Sequence, residues 1–329
     1  MTPSNEQLDV PHDYLIGLID YLCNPRLAPR ETAGGYGLDP SLTITTRDSQ
    51  LIEGIIVDSL EQSGIRTTSE NRSSGTRVRI RNNESLIEVS QLGRGDWIQI
   101  AERLSFLSFY ANEYGGKNIS ADRELFLRLY KTWAELHSYW SRLTNKKYTF
   151  EYFKKEFQLD ETPVKKDFPE TTYPDQISTE YVAGMFDAKG RIRFNTSENS
   201  EWDIGYSMSP AAGITLSHPE ILVKPHLLSY WEDKPYSPRI HESEDQLRIS
   251  ITTLDGIEAF IEDIGPHLYY NYEMAQFVYE QAIPAFRDGY HKNSRAGFLD
   301  LLEAHETYVK TDGPQKYNSE YLKDLWDMG

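Results

Sequence analysis

Two short apolar runs constrain this chain more than anything else in it. Tyr14-Leu15-Ile16-Gly17-Leu18-Ile19-Asp20 and Tyr181-Val182-Ala183-Gly184-Met185-Phe186-Asp187 each read as an apolar helix with small residues inside it and an Asp at its end. The acids at positions 20 and 187 set a spacing of 167 residues. After the second run, Arg191 to Asn195 alternates as a strand would. The recurrence predicts an internal duplication organised around the two helices.

The order of elements between the runs supports that reading. Pro11 to Leu22 is the first helix, ended by Asn24-Pro25. Pro25, Pro29 and Gly34-Gly35 predict an irregular segment before the strand Leu42-Thr43-Ile44-Thr45. Helical spacing follows over 49–63, strands over 65–70 and 76–82, and helices over 84–92 and 97–110. The second half repeats the series with strands over 191–195, 239–242 and 247–252, and a long helix over 269–285. Asp160 to Ser178, proline-rich and of mixed charge, reads as the linker. The expected division is a first repeat with a helical extension over 1–140, helix and linker over 141–178, and a second repeat with a helical tail over 179–329.

Composition narrows the class. A chain of 329 residues with 39% hydrophobic and 12% aromatic residues can bury a core in each half. No run approaches the roughly 18 apolar residues of a membrane span, and no signal peptide is visible, so the expectation is a cytoplasmic protein with no membrane partner. One cysteine, Cys23, excludes an intrachain disulfide and a cysteine-rich zinc site. The net charge of −17 argues against a generic nucleic-acid binder, although acidic surfaces also arise as adaptation to high salt. What decides is where the 34 Lys and Arg residues lie.

The two motif helices and the repeated order resemble the single-chain, two-repeat LAGLIDADG homing endonucleases, over roughly 12–110 and 179–286. The resemblance implies an α+β fold of two pseudo-symmetric repeats. Each would be a saddle-shaped antiparallel sheet backed by helices, with the motif helices packed at the interface and double-stranded DNA across the sheets. It implies a monomer with internal pseudo-twofold symmetry, and magnesium as cofactor if the protein cleaves. The metal-binding acid expected at the eighth motif position is replaced by Leu22 in one repeat and Lys189 in the other. Magnesium requires oxygen ligands, and neither side chain supplies one. The places where the family tends to carry a basic residue correspond to Asn83 and Asp255, and neither is basic.

Two roles stand open for Asp20 and Asp187: carboxylates that end a helix or orient a loop, or metal-binding catalytic acids reached by a rearranged route. Lys189 is a candidate phosphate contact. Strand parity supplies candidate DNA-binding residues, because a sheet backed by helices exposes every second side chain. The outward sets are Thr43, Thr45 and Arg47; Arg77, Arg79 and Arg81; Arg191, Arg193 and Asn195; Arg239 and His241; and Arg248, Ser250 and Thr252. Asp203, Glu242 and Glu244 dilute them. The leading expectation is site-specific binding of duplex DNA with cleavage reduced or lost. An active endonuclease and a maturase that binds intron RNA are the alternatives.

Overall fold

The computed structural model describes residues 9–46, 50–73, 75–136, 148–159, 164–217, 223–243, 246–309 and 316–328. Arg47 and Glu244, both named above, lie outside the described residues. The chain divides into two compact units, Met1–Asp175 and Gln176–Gly329. No helix among the described residues is long and apolar enough to cross a membrane.

Unit 1 runs through α1 (His12–Leu22), β1 (Cys23–Thr32), β2 (Gly35–Thr46), α2 (Gln50–Gln62), β3 (Thr68–Arg72) and β4 (Gly75–Ile80). It continues with α3 (Asn83–Leu92), α4 (Ala101–Tyr114), α5 (Arg123–Leu136) and α6 (Phe150–Glu156). Unit 2 repeats the opening as α7 (Thr179–Lys189), β5 (Gly190–Glu198), β6 (Tyr206–Ser217), α8 (Lys224–Trp231), β7 (Arg239–Glu242) and β8 (Gln246–Ile251). Then come α9 (Leu254–Ile264), α10 (Tyr272–Phe277), α11 (Ile283–Asp288), α12 (Tyr290–Asn293), α13 (Arg295–Tyr308) and α14 (Ser319–Leu325). Each unit holds a four-stranded antiparallel sheet of one topology, β1-β2-β4-β3 and β5-β6-β8-β7. The fold is α+β, as expected.

Burial follows the pleat. On β2 and β4 the side chains of Leu42, Ile44, Val78 and Ile80 are buried under the helices, and on β6 and β8 those of Ile214, Leu216, Leu247, Ile249 and Ile251 are. The motif helices are buried on every side, from Tyr14 to Tyr21 and from Tyr181 to Ala188. Ser178 starts α7 by accepting a hydrogen bond from the Tyr181 N–H at 3.1 Å, satisfying one of the donors a helix start leaves open. At its other end Gly190 makes room: a Cβ there would come within 2.3 Å of the Phe186 ring.

Three elements differ from the sequence expectation, each for an identifiable reason. The segment around Pro25 and Pro29 is the edge strand β1, paired with β2 through all ten of its residues. Pro25, Pro29 and Pro40, which faces Leu27, share one parity. Their missing N–H groups therefore fall at pairs that exchange no hydrogen bonds, where an edge strand tolerates proline. The helices expected to start at Trp97 and Tyr269 start at Ala101 and Tyr272, because the backbone just before each is engaged by a motif-helix carboxylate. The long helix of unit 2 is also interrupted by a π turn at Val278–Ala282, which ends two residues before Pro284, a residue that cannot donate the helical N–H bond.

Candidate nucleic-acid interface

The Asp at the end of each motif helix points into the protein. Asp20, fully buried, accepts the backbone N–H groups of Ile98, Gln99 and Ile100 at 3.0, 2.9 and 2.9 Å. Asp187 accepts those of Tyr269, Tyr270 and Asn271 at 2.7, 2.9 and 2.9 Å, and the Asn271 side-chain amide at 2.9 Å. In both units the carboxylate collects three consecutive N–H donors just ahead of α4 or α10. This is an anion cradle filled by the protein's own side chain. Of the two roles open at the sequence level, the geometry is that of a carboxylate orienting a loop.

The eighth motif positions lie at the last residues of α1 and α7, where Leu22 and Lys189 are half-buried. Leucine offers no ligand atom and an ammonium repels a cation. Among the described residues no three His, Cys, Asp or Glu side chains gather as a metal site would require. The donor set therefore does not fit magnesium, which takes oxygen ligands. At the two places where the family resemblance implies a basic residue, Asn82 beside Asn83 caps α3 by accepting from the Ser85 N–H at 2.7 Å, and Asp255 pairs with Arg287 at 2.9 Å.

The outward sheet faces carry the positive charge. In unit 1, Thr43 stands beside Arg79 and Thr45 beside Arg77 across β2 and β4. Arg77 and Arg79 are half-buried, and Arg81, exposed, follows the end of β4. Glu70 on β3 faces Arg77 in register but bonds Arg72 at 2.5 Å and Arg79 at 3.0 Å. The Arg77 Nε atom is buried with no hydrogen-bond partner among the described residues.

In unit 2 the outward rows are Arg191, Gly213, Ser250 and Arg239, and next to it Thr215, Arg248 and His241. Arg193 follows Arg191 on the same face of β5, and Asn195 is exposed beyond it. Thr252 is half-buried just past β8. The Arg193 guanidinium has its pKa lowered by burial first and then by the like charges of Arg248 and Arg191. Arg193, Arg239 and Arg248 form no ion pair with another described residue. Glu242, counted at the sequence level against this patch, has the opposite parity. It stands across from buried Leu247 and pairs with Lys224 at the start of α8. Asp203 is exposed in the turn between β5 and β6.

Other residues share these faces without having been singled out from the sequence. Asn24, Arg26 and Arg30 lie outward on β1, Ser41 on β2, and Ser209 and Thr215 on β6. The repeat itself carries the signal for two of them: the 167-residue spacing that relates Asp20 to Asp187 also relates Asn24 to Arg191 and Arg26 to Arg193.

Two units of like topology, each with its motif helix leading into a sheet whose outer face is basic, define a duplicated α+β protein. No model of a known protein family matches the chain, and no curated protein matches its sequence. Solved structures do match it. I-SmaMI bound to an uncleavable DNA has a TM-score of 0.69 at 14% identity, over 94% of this chain and 99% of that one. I-SmaMI bound to uncleaved DNA in the presence of calcium ions has 0.68 at 14%, over 91% and 98%. The LAGLIDADG meganuclease I-CpaMI bound to uncleaved DNA has 0.66 at 11%, over 92% and 100%. The chain has the LAGLIDADG homing-endonuclease fold.

Proposed function

We propose that the chain is a sequence-specific binder of double-stranded DNA, of homing-endonuclease descent, with phosphodiester cleavage reduced or lost. The observation that carries this reading is the shared outward sheet face of Arg191, Arg193, Arg239 and Arg248, on which the Arg193 pKa is lowered first by burial and then by the like charges of Arg248 and Arg191. A phosphate on that face would relieve the like-charge repulsion. Arginine can make paired hydrogen bonds to guanine, and a two-stranded ribbon enters the major groove. Thr43, Thr45, Arg77, Arg79 and Arg81 supply the corresponding face of unit 1. Thr252, Ser250 and Asn195 add neutral donors and acceptors suited to other base edges.

The reading that cleavage is reduced or lost rests on the motif residues. With Asp20 and Asp187 accepting backbone N–H groups and Leu22 and Lys189 at the eighth motif positions, neither motif end supplies the carboxylate oxygen that a magnesium ion would need there. Lys189 instead contributes positive charge toward a phosphate. A Lys189→Asp variant then binds duplex more weakly, and unchanged affinity would count against that contact.

Selection of bound duplexes from a random library, followed by incubation with magnesium or manganese, tests the reading. Enrichment of one site without strand breaks is the expected result. Discrete nicks or double-strand cuts at that site would make the protein an active endonuclease, and preference for structured intron RNA over duplex would make it a maturase.

A further inference from the structure

Each hairpin that opens a sheet outruns the sheet. β1 and β2 pair from Cys23 opposite Ile44 to Thr32 opposite Gly35, but β4 reaches β2 only from Leu42 to Thr46. Likewise β5 and β6 pair out to Glu198 opposite Tyr206, while β8 covers only Ala212 to Ser217. Beyond those points the hairpins are two-stranded, and such a ribbon is marginal in water unless something backs it.

In unit 1 the backing ends in α6. Tyr148, just ahead of that helix, donates its hydroxyl to Glu31 Oε1 at 2.6 Å. The Tyr152 hydroxyl meets that of Tyr36 at 3.0 Å, Thr149 caps the helix by accepting from the Tyr152 N–H at 3.1 Å, and the Phe157 ring lies 6.0 Å from Tyr36. The Tyr148 hydroxyl bond, the helix cap and the ring contact each have a counterpart in unit 2. Tyr317 donates to Glu198 Oε1 at 2.6 Å, and Asn318 caps α14 by accepting from the Tyr321 N–H at 2.8 Å. Tyr206, its phenol pushed up to about 12 by burial and then by the neighbouring Tyr321, has the Trp326 ring 5.8 Å away.

The sequence repeats to match. YTFEYFKKEF over 148–157 becomes YNSEYLKDLW over 317–326, sharing the two tyrosines, the Glu, a Lys and a final aromatic ring. The duplication therefore continues to the last described helix and takes in part of the tail. Glu31 faces Tyr36 and Glu198 faces Tyr206 across their hairpins. All four have the parity of the helix-backed side, so this contact lies behind the ribbon and the outward face stays free. Ring packing alone would be satisfied by phenylalanine. What both halves keep is a hydroxyl on a carboxylate at the far end of the ribbon, although they differ at the eighth motif position.

We propose that Tyr148 and Tyr317 are positioning residues: each hydroxyl fixes the end of a two-stranded ribbon and thereby its reading of the outer base pairs of a DNA site. This rests on the DNA-binding reading above, since the direction of the ribbon matters to function only if its outer face reads something. The bond is charge-assisted and directional, so its loss loosens the ribbon end without opening a cavity.

The test uses the full chain carrying Tyr148→Phe, Tyr317→Phe or both, with Glu31→Gln and Glu198→Gln as variants that keep an acceptor oxygen. Amide exchange over 30–37 and 197–207 in the free protein is expected to rise in the Phe variants and to stay near wild type in the Gln variants. The unfolding midpoint moves little. Affinity for the selected duplex falls about three- to tenfold in the double variant, and base preference flattens at the outer positions while the centre is kept. Unchanged exchange in the double variant would overturn the proposal. So would looser hairpins with base preference intact, because the ribbon would then be supported but not aimed. Failure of the unaltered chain to bind any duplex would sink the DNA reading itself before a variant is compared.

Discussion

A carboxylate that collects three backbone N–H groups belongs to the fold of the segment it caps. Asp187→Ala leaves the donors of Tyr269, Tyr270 and Asn271 without their acceptor. The expected cost is about 2–4 kcal/mol of stability, read by chemical denaturation; a variant of unchanged stability would reopen a ligand role for Asp187. His305 supplies a pH dependence. It is buried, stacks on Phe194 at 4.3 Å, and its Nε2 accepts the Phe194 N–H at 3.2 Å. Burial lowers its pKa from the ordinary 6.5 to about 4. Between those values the unfolded chain holds a proton that the folded one does not, so stability is full above pH 6.5 and declines as pH falls toward 4. The loss amounts to roughly 3 kcal/mol. Denaturation at pH 7 and pH 4.5 should show a gap that His305→Gln narrows, since glutamine offers an acceptor but no titrating group. For recognition, Arg193→Ala should cost about 1–3 kcal/mol of binding to the selected duplex and relax preference at one base pair. A uniform loss across all sequences would mark Arg193 as a phosphate contact instead.

At the scale of the element, the sheet faces of the two units differ in how their arginines are neutralised. In unit 1, β3 places Glu70 between Arg72 and Arg79, whereas in unit 2 the equivalent edge strand β7 offers Arg239 and His241 outward and turns Glu242 toward Lys224. Glu70→Gln should therefore strengthen DNA binding several-fold and steepen its salt dependence, because two cations become available for phosphates. Anisotropy titrations across a range of potassium chloride check this, and unchanged affinity would mean that β3 stays clear of the duplex. The parity of the strands was legible in the sequence because alternation is a local property. The strand β1 was not, because its prolines signal a break unless one knows that it lies at a sheet edge with its bare positions off the ladder. The starts of α4 and α10 were hidden for a similar reason: the acids that hold the preceding backbone come from about 80 residues earlier in the chain.

For the whole molecule, a net charge of −17 sets stability and binding against one another. Salt screens the self-repulsion of the acidic surface and should raise the unfolding temperature, while weakening contacts between the arginine faces and phosphate. Melting curves and binding isotherms over the same salt series should move in opposite directions, and a melting temperature that falls with salt would contradict the account. The sequence by itself determined that the chain is a duplication, where its motif helices lie, which side of most strands faces outward, and that the eighth motif positions carry no ligand for a metal. These are properties of spacing, periodicity and side-chain chemistry, and they need no neighbour to be read. The tertiary structure alone decided what Asp20 and Asp187 do with their oxygens, which face Glu242 takes, and that Tyr317 ahead of the last helix bonds Glu198 on the second hairpin. Each of those depends on groups brought together by folding from distant parts of a unit, and whether a carboxylate is a ligand, a cap or an ion-pair partner is fixed by the donors that reach it.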